Sequence, residues 1–513
     1  MSQTGADVLV RTLAENGVDT CFANPGTTEM HLVAALGREG EKMRTVLCLF
    51  EGVATGAADG YARMTGRPAA VLLHLGPGFA NGMANLHNAR KAGSAVLNIV
   101  GEHATYHLAL DAPLAADIEG MAGPVSRSVA TIESAAEVAS ATARLLGEIR
   151  DGGVGTLIVP NDVAWAETNQ TPAIAPPAAT HGYSENHLGE AAATLHGPRT
   201  ALIVGAAHIT RRMAELAHAI GVRTGATVIA ETSVARLSRG GGTPHLPRIP
   251  FHIDQAAALL KDIDSAVLVG ARDPVAFFAY PGRPSRVLPE GTKLVSLCPP
   301  GGAAEAALEA LASALGAEDV AGTAELPALP EPEAPITAEV LGRVVAHAIP
   351  EGAVVVDESI TNAGFTYTMS AAAAGHEWMN NRGGSIGFSL PVAVGAAVAS
   401  PERQVITLTG DGSACYTLQA LWTMAREKQN VTVLVLANRR YSILINETVN
   451  IGAGPVTDTT RPMLSLDTPA LDWVKLAEGH GVPARAVATA EALTEALQAA
   501  FAEPGPHLIE VAM

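Results

Sequence analysis

Short apolar runs alternate with helix-period stretches along almost the whole chain. TVLCLF, AAVLLHL, AVLNIVG and GTLIVP have strand length and stay apolar on both faces. Between them, EGVATGAADGYARMTG and GFANGMANLHNARKAG have helical spacing. Such alternation predicts parallel sheets covered by helices. A second block repeats it with RTALIVGAA, ATVIAET, SAVLVGA and TKLVSLC, and a third with GAVVVDES, QVITLTGDG, NVTVLVLAN and HLIEVAM. Two proline-rich joins separate the blocks: one from Trp165 to Tyr183, the other TAELPALPEPEAPIT, with Pro327, Pro330, Pro332 and Pro335. The chain is therefore expected to form three doubly wound α/β domains, over 1–165, 184–322 and 337–513. Its first stretch, MSQTGADVLVRTLAENGV, predicts an amphipathic helix without the basic start or apolar core of a signal peptide.

Composition supports this layout and removes some functions. A length of 513 residues suits about three domains, and 48% hydrophobic residues supply their cores. The 33 basic against 51 acidic side chains leave a net charge of −18, which argues against nucleic acid as a general partner. No apolar run approaches the ~20 residues that span a bilayer, so a soluble protein with no membrane partner is expected. Cys21, Cys48, Cys298 and Cys415 form no CxxC pair and fit no zinc spacing. They predict buried thiols in a reducing cytoplasm.

The unit QVITLTGDGSACYTLQALWTMAREKQNVTVLVLANRRYSIL carries the densest chemistry. Gly410 and Gly412 permit a tight turn whose amides approach phosphate oxygens. Asp411 stands at the carboxyl end of its strand, where α/β sheets take ligands. A helix expected to start near Thr417 turns its positive end toward a diphosphate. VTVLVLAN then returns to deliver Asn438 beside Asp411. An aspartate, an asparagine amide and a backbone carbonyl just beyond suit Mg²⁺, which completes its shell with phosphate and water. Taken alone, GDGS also reads as a glycine turn with a capping aspartate. Near the N-terminus, a strand expected to end at Phe50 leads into Glu51, which opens a helix carrying Asp59 and Arg63. A glutamate there is ordinarily a cap or a partner of the helix dipole.

Together these motifs resemble the thiamine diphosphate-dependent acetolactate synthase and benzoylformate decarboxylase superfamily. The resemblance rests on GDG with its distant asparagine, on Glu51 followed by GAADGYAR, on FANPGTTEM (22–30) and on GGSIGFSLPVAVGAAVA (383–399). It covers nearly the whole chain and implies the thiamine diphosphate-binding fold, with pyrimidine-binding, central and diphosphate-binding domains. It implies that Gly410, Asp411, Gly412, Ser413 and Asn438 hold the diphosphate and Mg²⁺, with the Arg440 carbonyl as third metal ligand. By the same resemblance Glu51 hydrogen-bonds the aminopyrimidine and activates the cofactor. Ile386 is the aliphatic residue that bends the cofactor, and Leu444 lies beside it on the substrate side. Asp59 and Arg63 read as structural. Ala437 replaces the first asparagine of the family's pair; the metal ligand is the second. The family pattern further implies a homodimer or homotetramer, with Glu51 and the metal site supplied by different subunits.

The resemblance also implies a small-molecule 2-oxo acid substrate. His74, at the end of LLHLGPG, matches a histidine that moves protons around the carbonyl adduct, a role suited to imidazole. Thr27 falls where benzoylformate decarboxylase-like enzymes carry a serine for the substrate carboxylate. His103 and His107 face one side if helical and read as peripheral. Two departures stand out. GARDPVAFFAYPG offers Phe277 and Phe278 where those enzymes place a second histidine. RRYSILINETVNIGAG replaces the segment that acetolactate synthases carry after the metal asparagine. The expected enzyme decarboxylates a 2-oxo acid, then releases an aldehyde or ligates the fragment to a second carbonyl, as lyase or transferase. A simple benzoylformate decarboxylase-like enzyme and a non-catalytic, cofactor-binding regulatory subunit are the alternatives. A nicotinamide dehydrogenase lacks its GxGxxG fingerprint: ALIVGAAHIT offers only Gly205.

Overall fold

The computed structural model describes residues 3–178, 181–320, 322 and 324–513. Ala179 and Thr180 of the first proline-rich join, and Thr323 of the second, lie outside the described residues. The predicted first helix runs from Gly5 to Glu15, capped by Thr4 and Asp7 in a reciprocal box. Strands β1 (Thr20–Asn24), β2 (Arg44–Leu47), β3 (Ala69–Leu73), β4 (Val96–Glu102), β5 (Ser128–Thr131) and β6 (Val154–Pro160) form the first sheet. It is parallel throughout, in the order β2-β1-β3-β4-β6-β5. Its inner strands β3, β4 and β6 are buried at every position, because helices cover both faces. That explains their unbroken apolar sequences.

The middle of the chain supplies β7 (Thr200–Val204), β8 (His208–Ile209), β9 (Thr227–Ala230), β10 (Arg236–Arg239), β11 (Ser265–Val269) and β12 (Lys293–Cys298). Only four of these make the central parallel sheet, β12-β11-β7-β9. The other two join the last sheet, with β13 (Val354–Glu358), β14 (His376–Asn380), β15 (Val405–Gly410), β16 (Val431–Ala437), β17 (Ala484–Val487) and β18 (His507–Ala512). Its order is β17-β18-β16-β15-β13-β14-β10-β8. The pairing of β10 with β14 is antiparallel, the one departure from the all-parallel expectation among the named ladders. RLSR alternates in burial, and its polar residues grip one acid across the ladder. Arg236 and Ser238 bond Glu377 at 2.8 and 3.1 Å.

Without β8 and β10, the first and last sheets share one topology. Counted within each block, the strands run second, first, third, fourth, sixth, fifth. His74 and Asp411 therefore follow equivalent third strands. The helices after the second strands, Glu51–Thr65 and Ser389–Ala399, pack on each other at bare backbone. A Cβ on Gly395 would overlap the Ala57 carbonyl oxygen, and one on Gly60 the Val392 carbonyl oxygen. The Ser389–Ala399 helix is buried nearly all round because it lies between the two domains.

A buried ion pair closes this region. Arg63 forks onto Asp59 at 2.8 and 2.7 Å and donates to the Ala235 and Asn380 carbonyls. It thus ties the first domain to both later blocks. Cys21, Cys48 and Cys298 are buried and Cys415 half-buried, all as free thiols. Among the described residues, no helix is long and apolar enough to cross a membrane.

Candidate active site

Strand β2 ends at Leu47, three residues short of the Phe50 expected from sequence, and the chain leaves the sheet before Glu51 opens its helix. Glu51 is buried, and its Oε2 accepts from Asn81 Nδ2 at 3.0 Å. His74 follows β3 and precedes the helix Leu75–Ala92. The next residue, Leu75, sits at φ +51°, a strained setting for a branched side chain. A Cβ on Gly78 would lie 3.3 Å from both Glu51 Oε1 and His74 Cβ. The two side chains thus flank one bare position on that helix.

His74 has a partner that the sequence reading missed. Its Nδ1 lies 2.8 Å from Glu29 Oε2, a carboxylate with no solvent exposure. Glu29 also accepts from the Gly26 amide at 2.8 Å and the Thr28 hydroxyl at 2.5 Å. An ionised carboxylate offers only acceptors, so with Glu29 in that form Nδ1 is the donor of this contact. Glycines make room for the pair: a Cβ on Gly26 would overlap the His74 ring, and one on Gly101 the Glu29 carboxylate. The sequence signal was only a glutamate three residues after Gly26, a common capping spacing. Thr27 is exposed beside this pair, and its hydroxyl makes no hydrogen bond among the described residues.

The second cluster lies at the carboxyl ends of β15 and β16. The helix expected near Thr417 instead begins at Asp411 itself, as one turn to Ala414, and a second helix follows from Ala420 to Arg426. Asp411 accepts from the Gly412 amide at 2.9 Å and the Arg439 amide at 2.7 Å. Asn438, one residue before Arg439, is thereby brought beside it, as the spacing predicted. Burial raises the Asp411 carboxyl above its ordinary value, against those two amides. Among the described residues no salt bridge neutralises it. A buried acid without a cation suits a divalent metal. Asn438 Oδ1 accepts from the Arg440 amide, and the Arg440 carbonyl from the Ser442 amide, both inside the turn. Each oxygen keeps a second lone pair. Gly412 packs under the Tyr441 ring, where a Cβ would come within 2.5 Å. Gly410 and Ser413 complete the turn, and Leu444 lies exposed on the helix Ser442–Asn450.

A third element is the segment from Asn381 to Phe388. Buried Glu358 accepts the amides of Gly387, Phe388 and Ser389 at 3.1, 3.2 and 3.1 Å, anchoring the segment to β13. The Gly387 carbonyl accepts from Asn85 of the first domain and Thr417 of the last. Ile386, half-buried, is thus held between rigid neighbours. Phe277 stands over Gly384 and stacks with Phe251 and Phe278, at centroid distances of 5.0 Å for each Phe277 contact.

The structure joins Glu51 with His74, and Asp411 with Asn438. Among the described residues no hydrogen bond links these two clusters. His103 and His107 lie in a turn rather than a helix, with ring centroids 5.4 Å apart. No group of three or more His, Cys, Asp or Glu among the described residues could hold a metal there.

Comparisons with known proteins place the chain in a family. A family model for the N-terminal TPP binding domain of thiamine pyrophosphate enzymes matches residues 3–121, and one for their C-terminal TPP binding domain matches 362–511. A Mycobacterium tuberculosis protein, provisionally assigned as acetolactate synthase large subunit IlvX, is 46% identical over 99% of this chain and 98% of its own. Benzoylformate decarboxylase of Pseudomonas aeruginosa is 31% identical over 97% of each chain. The thiamine diphosphate-dependent 4-hydroxybenzoylformate decarboxylase of Rhodococcus jostii RHA1 superposes with a TM-score of 0.83. It is 26% identical and covers 100% of this chain and 99% of its own.

Proposed function

Because the chain belongs to the thiamine pyrophosphate enzyme family, we propose that it decarboxylates a 2-oxo acid with an apolar aryl or aliphatic side chain and releases the aldehyde, using thiamine diphosphate and Mg²⁺. The observation that carries this reading is His74. It is backed by Glu29 and shares the Gly78 position with Glu51, an arrangement that would suit a proton-handling group beside an activating carboxylate.

When bound, thiamine diphosphate supplies a carbon nucleophile and an electron sink for loss of carbon dioxide. Asp411, Asn438 and the Arg440 carbonyl would hold Mg²⁺, while Gly410, Gly412 and Ser413 would cradle the diphosphate. Glu51 would hold a proton against the aminopyrimidine, with Asn81 fixing its carboxylate. Ile386 would support the bent cofactor, and Leu444 would wall its substrate side. Thr27, whose hydroxyl makes no hydrogen bond among the described residues, would bind the substrate carboxylate. His74 Nε2 would take up a proton from solvent and hand it on to the product, with Glu29 stabilising the imidazolium that forms in between. Phe277 and Phe278 favour an apolar side chain on the substrate.

That no hydrogen bond links the two clusters among the described residues fits a dimer or tetramer in which Glu51 of one copy faces Asp411 of another. Exposed Met30, Leu49 and Tyr106 in the first domain, and Tyr416, Leu444 and Met463 in the last, supply apolar surface for that contact. The free thiols fit the cytoplasm. Ligation to a second carbonyl is the second reading, favoured by the 46% identity to a relative assigned as an acetolactate synthase subunit.

Incubating the holoenzyme with benzoylformate, pyruvate and branched 2-oxo acids tests the proposal. Aldehyde and CO₂ in equal amounts support it. Acyloin or acetohydroxy acid in place of aldehyde supports ligation. Cofactor binding without either product would leave a regulatory subunit.

A further inference from the structure

Resting on the proposed role of Ile386 as the cofactor's support, we infer that Glu231 and Arg382 are positioning residues, an ion pair through which the central domain sets the loop that carries Ile386. Doubly wound sheets take their ligands at the carboxyl ends of the strands, where the strand order reverses. In the central sheet that edge is formed by β7, β9 and β11. Gly205 follows β7 and Gly270 follows β11, and the two backbones touch: a Cβ on Gly270 would overlap the Gly205 carbonyl oxygen. Glu231 follows β9 and turns its carboxylate across the end of β7, where a Cβ on Gly205 would come within 2.5 Å of its Oε2. What this carboxylate receives is an arm of the last block. Arg382 Nη2 donates to Glu231 Oε2 at 2.6 Å, and Nη1 to the Ala206 carbonyl at 3.2 Å. Glu231 Oε1 accepts from the Arg272 amide at 3.2 Å. One guanidinium thus spans the ends of two central strands, a fork that lysine does not reproduce. The two side chains are only 17% and 15% exposed, so salt screens the pair little.

Arg382 stands near the start of the loop that runs to Phe388. Asn381 braces this loop from within: its Nδ2 donates to the Ser385 carbonyl and its Oδ1 accepts from the Gly384 amide, both at 2.7 Å. The first domain holds it through Asn88, which donates to the Ser385 carbonyl at 2.9 Å and accepts from the Ser385 amide at 3.1 Å. Glu358 holds the far end, at the Gly387 and Phe388 amides. The central domain adds the Phe277 ring over Gly384 and the Arg382 pair. The near half of the loop is therefore set by the central and first domains, and the far half by β13. Ile386 lies between the halves. Without the pair the near half loses its one charged anchor, and Ile386 is fixed firmly on one side only. An apolar support held that way presses less well on what it supports.

Amide exchange on the full chain without cofactor, resolved to single amides by mass spectrometry, tests the pair directly. In Glu231→Gln the Gly384 and Ser385 amides should exchange about tenfold faster, the effect of one lost hydrogen bond between charged groups. The Gly387 and Phe388 amides, held by Glu358, should exchange as in the native chain. Calorimetric titration with Mg²⁺ present should show thiamine diphosphate bound about tenfold more weakly in Glu231→Gln and in Arg382→Met, and no more weakly in the double variant than in either single one. Arg382→Lys keeps the charge pair and gives up the Ala206 bond, and should stay within about threefold of native affinity. Should Arg382→Met not fold, Glu231→Gln and Arg382→Lys carry the comparison. Equal acceleration of all four amides marks a general loosening of the fold and overturns the proposal, as do unchanged Gly384 and Ser385 amides. Faster exchange with native cofactor affinity leaves the pair a brace of the fold alone and overturns it as well. If the native chain binds no thiamine diphosphate, the reading of Ile386 fails instead, and the exchange pattern still decides whether the pair sets the loop.

Discussion

Replacing Glu29 by glutamine removes one charge and little else. The carboxamide oxygen can occupy the Oε2 position and keep the Gly26 and His74 hydrogen bonds, both 2.8 Å in the native chain. The Thr28 hydroxyl then reverses to accept from the new NH₂. What is lost is the ionic part of the His74 contact whenever the imidazole is protonated. A hydrogen bond to a charged acceptor contributes ~1.5–3 kcal/mol and a neutral one ~0.5–1.5, a difference of about 1–2 kcal/mol. At ~1.4 kcal/mol per decade, kcat/KM should fall about 5–30-fold. His74 is 23% exposed, so screening favours the lower end. His74→Ala removes the acid–base group itself and should cost about 10²–10⁴-fold. The assay is steady-state decarboxylation of the best 2-oxo acid, with calorimetric titration of thiamine diphosphate to show that cofactor binding is kept. Glu29 acts through His74, so the double variant should be no slower than His74→Ala alone. A wild-type rate in Glu29→Gln refutes the reasoning, as does a double variant slowed by the product of the two single effects.

Three further outcomes are expected. Glu51→Gln and Asp411→Ala should each be inactive, yet refolding them together should restore roughly a quarter of wild-type sites, since mixed pairs hold one intact site in two; no recovery would place both groups in one subunit's site. Asp59→Asn leaves Arg63 buried without its anion and should lower stability by about 3–5 kcal/mol in a denaturant titration; a loss under 1 kcal/mol contradicts the pairing. Burial has raised the Asp411 carboxyl above 3.8, so proton competition should weaken Mg²⁺ binding at a higher pH than for a surface aspartate. The folded pKa being the higher one, this group makes the metal-free fold more stable as pH falls through it. Mg²⁺ titrations across about pH 4–8 should therefore weaken toward the acid end, and a flat profile would count against Asp411 as ligand.

The strands and the two motif-bearing turns were legible because each is a local pattern. β15 and β16 announce themselves as apolar runs, and Asp411 and Asn438 sit where those runs stop. Glu51 and His74 likewise close apolar strand regions. Glu29 was not legible as a functional group, because its value depends on a histidine 45 residues away that reaches it only after β1 and β3 pair. β8 and β10 were missed for another reason. Two and four residues with alternating polarity carry no strand signal, and their pairing is fixed by long-range contacts to Glu377. The early helix start at Asp411 reflects Gly412 packing under Tyr441, a contact made by chain arriving from β16.

The crossing of Glu51–Thr65 with Ser389–Ala399 has a mechanical consequence. Shear between packed helices proceeds by side chains changing rotamer. Where Gly60 and Gly395 meet opposing carbonyls there are no rotamers to change, so the crossing behaves as a weld. The first and last domains then move as one body during turnover. Admission of substrate and exit of product fall to elements outside the weld. The helix Ser442–Asn450, which buries none of its residues and is held to the central domain by the Tyr280–Glu447 and Arg283–Asn450 hydrogen bonds, can open by breaking those contacts. Its opening rate, rather than any hinge between the domains, should set how fast the pocket exchanges its contents.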